Sequence, residues 1–392
     1  MPITYSYPQY TGIWNLSAAS KAKGAGTWPV PPTPKLFVWG NNDNGQLGLG
    51  SGAGNRSSPT QLGSLTNWSV LALGGDGGGG QYISSIKTDG TLWGWGYNFY
   101  GSLGLGNATT YSSPKQVGAL TNWSIVANGA YHTLAIKTDG TLWAWGLNNA
   151  GQLGLSNTYT YSSPVQVGAL TSWSKVSCGY THTASIKTDG TLWTWGQNNF
   201  GQLGLGNTTN RSSPIQVGAL TNWSFIMCDK YSTLSVKTDG TIWSWGYNVH
   251  GQLGLGNTTY YSSPKQIGAL TNWSKTSASQ YSVGAITTGG ALYVWGLNDN
   301  GQLGTGNLTY YSSPKQIGAL TNWLNVCCGQ YFMVSTKTDG TLWAWGQGSS
   351  GRLGLGNVTS YSSPKQVGAL TSWSYIPSRS AINSISAIAR TN

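Results

Sequence analysis

The segment Trp-Gly-x-Asn-x-x-Gly-Gln-Leu-Gly-Leu-Gly that starts at Trp39 returns in near-identical form at Trp95, Trp145, Trp195, Trp245, Trp295 and Trp345. A chain that writes one unit seven times buries a core only by stacking each copy on its neighbours, as a capped array or a closed ring. Successive copies stand 50 residues apart except the first pair, which stand 56 apart. One extra residue falls in the turn 51–58 and five in the glycine run 74–80. A period near fifty residues built from short strands points to a β-propeller. Length alone, at 392 residues, suggests two or three domains. The uninterrupted repeat argues instead for one ring, residues 35–392, preceded by an arm, residues 1–34.

The unit around Trp123 reads as four strands. Trp123-Ser-Ile-Val-Ala-Asn alternates apolar and polar residues, and so does Tyr131-His-Thr-Leu-Ala-Ile-Lys, which ends at Thr138-Asp139-Gly140. An Asp-Gly pair between two such runs predicts a hairpin, because both residues tolerate positive φ. Thr141-Leu-Trp-Ala-Trp-Gly is the third strand, with Trp143 and Trp145 on one side. Residues 163–167 give a short fourth strand whose Pro164 suits a sheet edge. The chain enters this pattern at Leu36-Phe-Val-Trp-Gly, a third strand, and leaves it at Ala387-Ile-Ala-Arg-Thr-Asn392, a second strand. The predicted fold is therefore all-β: a seven-bladed β-propeller of four-stranded blades, closed by a blade shared between the N- and C-termini, with a short N-terminal arm. Such pairing removes the bare edges of an open array.

Charge narrows the functional classes. The chain has a net charge of +11, no glutamate and nine aspartates, five of them in the repeated Thr-Asp-Gly at Asp89, Asp139, Asp189, Asp239 and Asp339. Lysines recur at 87, 137, 187, 237 and 337 and at 115, 265, 315 and 365, which spreads them around the ring and forms no single groove for nucleic acid. Cys178, Cys228 and Cys328 share one position of the unit, where Asn128 and Ala278 also occur, so small buried thiols are expected rather than bridges. Residues 1–10 lack the basic start and apolar core of a secretory leader, and no window reaches the length of a membrane span. The Asn-x-Ser/Thr matches at Asn107, Asn207, Asn257, Asn307 and Asn357 arise from repeated turn residues and predict no glycan.

The succession from Gly129 to Ser156, Gly-x-Tyr-His-Thr-Leu-Ala-Ile-Lys-Thr-Asp-Gly-Thr-Leu-Trp-Ala-Trp-Gly followed by the Gly-Gln-Leu-Gly-Leu loop, resembles the repeat of the regulator of chromosome condensation family. The resemblance covers residues 35–392 and implies a seven-bladed propeller with a split blade. Members of that family serve as guanine nucleotide exchange factors, chromatin-binding modules, parts of ubiquitin ligases and surface proteins of bacteria or viruses, so fold does not settle function. The family's histidine stands here only as His132 and His182, replaced by Ser232, Ser282 and Phe332, which suits packing rather than chemistry. The arm from Tyr10 to Pro29 resembles N-terminal segments of structural proteins from tailed bacteriophages. Leu16 to Lys23 is expected to form two helical turns capped by Asn15 and stopped by Gly24, leaving Ile13, Trp14, Leu16 and Trp28 to dock on another protein or on the propeller itself.

No constellation for catalysis stands out. The repeated aspartates are spent on hairpin turns, the remaining Asp43, Asp76, Asp229 and Asp299 are scattered, and three histidines and four cysteines lack metal-site spacing. The Gly-Gln-Leu-Gly-Leu-Gly runs join strands and open no phosphate-binding helix. No enzyme, cofactor or metal is expected. The copies differ most in the loop after Trp-Gly and in the turn that follows, both rich in Tyr, Asn and Thr, a composition used where a rigid scaffold presents binding loops. The candidate binding residues are Tyr97, Asn98, Phe99, Tyr100, Tyr111, Tyr159, Phe200, Tyr247, His250, Tyr260 and Tyr310. Neutral drift predicts the same variation. The expectation is a virion structural or adhesion protein in a tail fibre, tail tip or capsid decoration. It would be held to other virion proteins by the arm, would touch host-surface glycans or neighbouring subunits, and would be open to self-association. The rival readings are a cytoplasmic interaction scaffold or exchange factor, and a lectin.

Overall fold

The computed structural model describes residues 33–75, 80–377 and 384–391, with residues 33, 34 and 384–391 described through their backbone. The expected arm helix, the docking residues Ile13, Trp14, Leu16 and Trp28, and Asp76 lie outside those residues.

Each unit folds as the alternation implies. In blade II the strands Trp123–Asn128, His132–Lys137, Leu142–Gly146 and Tyr161–Gln166 pair antiparallel in that order. Pro164 falls on the outermost strand, where its missing donor leaves no ladder bond open. The second strand is buried along its whole length, since both of its faces are packed between neighbouring blades. The Thr-Asp-Gly hairpin differs from expectation in one respect. Only Gly140 takes positive φ, at 77°, and the aspartate keeps a negative one. Asp139 instead accepts hydrogen bonds from the amide and the hydroxyl of Thr141 at 2.9 and 2.7 Å, and the Thr141 hydroxyl receives Trp143 Nε1–H at 2.9 Å. The aspartate is thus a side-chain brace for a three-residue loop that needs a left-handed backbone only at the glycine.

Six blades, I to VI, span residues 68–116, 123–166, 173–216, 223–266, 273–316 and 323–366, each a four-stranded sheet from one continuous stretch. The two chain ends make a further sheet, in the order Arg56–Gln61, Thr33–Gly40, Ser384–Thr391, Trp373–Tyr375. Its central pair runs in register from Thr33 opposite Thr391 to Gly40 opposite Ser384, the pairing that the chain ends imply. The expected ring of seven like blades is therefore corrected: six self-contained blades stand in the ring against seven copies of the repeat. The reason is an offset. A repeat begins at a third strand and ends at a second strand of the next sheet, so seven repeats yield six whole blades and two half-blades left over at the ends.

The ring is latched by the repeated tryptophan. Trp145 Nε1 donates to Ser102 O of the preceding blade at 2.8 Å, and Trp195, Trp245, Trp295 and Trp345 repeat the bond at 2.9 Å. Trp39, in the composite sheet, bonds Arg352 O at 3.1 Å, which ties the first third-strand to blade VI. The loop glycine below each ring explains the spacing: a Cβ on Gly104 would lie 2.8 Å from Trp145 Nε1. First strands line the axis, where Leu71, Val126, Lys175, Ile226 and Tyr375 border a cavity of about 290 Å³.

Strand direction gives the ring two unlike ends. The first-to-second and third-to-fourth connections lie on one end, the loop face. The Thr-Asp-Gly hairpins and the fourth-to-first connections lie on the other, the turn face. The lysines are spread around the ring as expected, but Lys87 and Lys115 and their counterparts all stand at the turn-face end of their strands. All four cysteines are buried thiols, not disulfide bridges.

Candidate functional site

The loop face is where the copies differ, and the structure sorts the candidate residues on it. Tyr97, Phe99 and Tyr100 come together with Tyr131, with ring centroids 5.0 to 6.4 Å apart. Phe200, Tyr247, His250, Tyr260 and Tyr310 join a second and larger group. Phe200 meets Tyr247 at 4.9 Å and Tyr260 at 5.9 Å, and Tyr247 meets Tyr260 at 4.9 Å. His250 stands 5.9 Å from Tyr310, whose hydroxyl donates to Asp299.

Four members of this second group were not among the candidates: Tyr180, Lys230, Tyr231 and Tyr281. They come from the first-to-second connection, whose tyrosine column reads in sequence as the start of a strand. Tyr231 links Tyr180 at 5.8 Å to Phe200 at 5.1 Å, and Tyr281 links Tyr247 at 6.2 Å to His250 at 4.8 Å. Lys230 Nζ lies 5.3, 5.3 and 5.7 Å from the rings of Tyr180, Tyr231 and Tyr281. A signal did exist in the sequence: the position held by Lys230 is Ala130, Tyr180, Gln280 and Gln330 in other copies, as variable as the loops.

Three candidates do other work. Asn98 is fully buried. Its amide donates to Asn107 O and Thr109 O at 3.0 Å, and its Oδ1 accepts from Leu103 N at 2.8 Å, so it is the internal brace of the loop and cannot reach a ligand. Tyr111 is half-buried at the start of a fourth strand, where its hydroxyl accepts from Asn107 Nδ2 at 3.3 Å. Tyr159 is 72% exposed on the loop of blade II and joins neither group.

Burial sets the protonation of the cluster. It raises the phenol pKa of Tyr281 to about 12, with smaller contributions from neighbouring tyrosines and Asp229. The Tyr310 phenol is raised to about 12 by desolvation and by its bond to Asp299. His250 is lowered by desolvation, against the pull of Asp299. At neutral pH Tyr281, Tyr310 and His250 are therefore uncharged groups that can hydrogen-bond and stack. His132 and His182 are wholly buried between blades, with Nε2 3.2 and 3.1 Å from the hydroxyls of Thr183 and Thr233. Those hydroxyls give their protons to Gln152 O and Gln202 O, which leaves each imidazole Nε2 as the donor. Among the described residues no three of His, Cys, Asp and Glu stand close enough to hold a metal, and no helix is long and apolar enough to cross a membrane.

The regulator of chromosome condensation (RCC1) repeat matches residues 35–77, 89–136, 139–186, 189–231, 239–286, 289–335 and 339–377. The chain is 34% identical over 101 residues to the probable E3 ubiquitin-protein ligase HERC3 of Homo sapiens, 25% of this chain and 9% of that protein. It is 34% identical over 98 residues to the ultraviolet-B receptor UVR8 of Arabidopsis thaliana, 24% of this chain and 21% of the receptor. The similarity thus spans a small part of either relative. Human WBSCR16 has the same fold, with TM-score 0.79 and 21% identity over 91% of this chain and 99% of its own. So does Prp20p of Saccharomyces cerevisiae, with TM-score 0.80 and 18% identity over 92% of each chain; that protein's structure is described together with its binding to Gsp1p and histones. On the seven matched repeats, this chain belongs to the regulator of chromosome condensation (RCC1) repeat family.

Proposed function

We propose that this chain is a non-enzymatic binding propeller of a phage virion, anchored by its N-terminal arm and presenting the loop face to host-surface glycans or neighbouring subunits. The observation that carries the reading is the contrast between the two halves of the unit. Strand words and buried braces scarcely change from copy to copy, while the loop face gathers partly exposed aromatics in blades I to V. A rigid scaffold with polar aromatic loops is suited to recognition. The arm's likeness to segments of phage structural proteins supports the virion setting. The test is mass spectrometry of purified particles with the intact chain and with residues 1–32 deleted. The reading expects the intact chain in the particle and loss of incorporation on deletion; particles free of the intact chain would overturn it.

The family match supports a second reading, an intracellular interaction scaffold or exchange factor. A pull-down with the full chain that recovers a small GTPase or nucleosomes would establish it in place of the first.

A further inference from the structure

The second aromatic group forms one continuous run across three blades: Tyr180, Tyr231, Phe200, Tyr260, Tyr247, Tyr281, His250 and Tyr310, each ring 4.8 to 6.2 Å from the next. Tyr260 and Tyr310 are each 43% exposed, and the other rings are half-buried beside them, so the run is a surface platform and not a core. The corresponding loop of blade VI is Gln347-Gly-Ser-Ser, and that of blade II is Leu147-Asn-Asn-Ala. The platform is thus one site on one sector of the ring, where a repeat architecture would otherwise offer equivalent sites all round.

We infer that this sector is a binding site for an acidic oligosaccharide, an inference that rests on the attachment reading above and names its ligand class. The electron-rich faces of tyrosine and phenylalanine attract the weakly positive C–H faces of a pyranose, and neighbouring phenols exchange hydrogen bonds with its hydroxyls. All the rings but Phe200 and His250 carry a hydroxyl, which suits a polyhydroxylated ligand better than an apolar peptide side chain. Charge selects the acidic class. Lys230 stands among Tyr180, Tyr231 and Tyr281 in the middle of the stacking surface. Two acids also stand in the sector, Asp229 wholly buried and Asp299 exposed and bonded by the Tyr310 hydroxyl, so the acidic group of the ligand is placed beside Lys230, away from Asp299. A carboxylate or sulfate on a sugar stacked over Tyr231 would meet the ammonium there, with the chain's net charge of +11 favouring its approach. Val358, 64% exposed on the loop of blade VI and outside this sector, serves as the internal control.

The experiment is calorimetric titration of the full chain with a uronic-acid hexasaccharide and with a neutral glucose hexasaccharide. The acidic probe is expected to bind more tightly and to weaken as salt is raised. Tyr260→Ala should weaken both probes by about tenfold, the loss of one stacking partner. Lys230→Gln should weaken the acidic probe by about tenfold and leave the neutral one unchanged. Val358→Ala should change neither. Thermal unfolding of each variant verifies that it is folded. The inference is overturned if the folded chain binds neither probe, if Val358→Ala costs as much as Tyr260→Ala, or if Lys230→Gln leaves the preference for the acidic probe intact. Adsorption of the chain to host cells that survives Tyr260→Ala overturns the sector assignment while upholding attachment. Tight probe binding by a chain absent from particles does the reverse.

Discussion

Ser156 holds φ at 62°, a left-handed conformation that glycine takes at the same point of other copies, Gly106, Gly206, Gly256, Gly306 and Gly356, with φ of 75 to 81°. A residue with a Cβ is strained there, and the compensation is one hydroxyl contact, Ser156 Oγ to Ser213 Oγ at 3.0 Å on an exposed surface. Ser156→Gly should raise stability by about 0.5–1 kcal/mol, read as a higher urea midpoint at unchanged m; a lower midpoint would show that the hydroxyl pair outweighs the strain. The hairpin aspartates give a pH signature. The bonds from Thr91 to Asp89, and their equivalents at Asp139, Asp189, Asp239 and Asp339, hold these carboxyls below their ordinary value. A depressed folded pKa gives stability that is present above the unfolded value of 3.8 and is lost as pH falls through the folded one. Acid titration of the melting temperature should show that loss, and replacing all five with asparagine should flatten it. Residue roles were only partly legible in the sequence. Asn98 sits between two aromatics of a variable loop, yet the same asparagine recurs as Asn42, Asn148, Asn198, Asn248 and Asn298, and that constancy was the mark of a buried brace.

At the scale of the element, the hairpins of blades I to IV and VI join an aspartate brace to a lysine packed on tryptophan, whereas blade V has Thr287-Thr-Gly-Gly and Tyr293 instead. Lys137 Nζ lies 3.7 Å from the Trp143 ring and 5.0 Å from Trp123, and desolvation lowers its pKa against the pull of Asp139. Lys137→Met should keep the aliphatic packing and lose the cation–π attraction, at a cost of about 0.5–2 kcal/mol in thermal or urea unfolding; an unchanged midpoint would assign the lysine to packing alone. Gly140→Ala is a harsher change, because the backbone has φ of 77° and a Cβ would stand 2.1 Å from Thr171 O of the next connection. A loss greater than about 1 kcal/mol is expected, and blade II should show the earliest amide exchange. Strand positions were legible to within two residues in the unit around Trp123, since alternation and the Asp-Gly pair are local signals, and to within three at the chain ends. Which residues share a face was not. Lys87 and Lys115 end at the same turn face, and Tyr231 meets Phe200 on the loop face, only because strand direction alternates and neighbouring blades bring the next copies alongside.

At the scale of the whole molecule, the offset between repeat and blade places the closure in the composite sheet. The sequence carries seven copies, but only the pairing of Thr33–Gly40 with Ser384–Thr391 converts the leftover half-blades into a sheet that packs against both blade I and blade VI. Trp39 belongs to both sides of that closure, being buried with Phe332 and Leu353 of blade VI while its own strand pairs with the C-terminal one. Deleting residues 384–392 should therefore expose the edges of Thr33–Gly40 and Trp373–Tyr375 and leave Trp39 half-covered, giving a chain that unfolds earlier and less cooperatively. A circular permutant separates loss of residues from loss of closure. Thr33 and Thr391 are paired neighbours, so a short linker between them, with new ends cut in the exposed turn at 207–209, keeps every strand of residues 33–391 and makes the composite sheet continuous. The permutant should melt cooperatively near the parent temperature, its new split sheet at 173–216 closing the ring in turn. A permutant that unfolds like the truncated chain would mean that the particular pairing of the natural ends, and not ring closure as such, holds the propeller together.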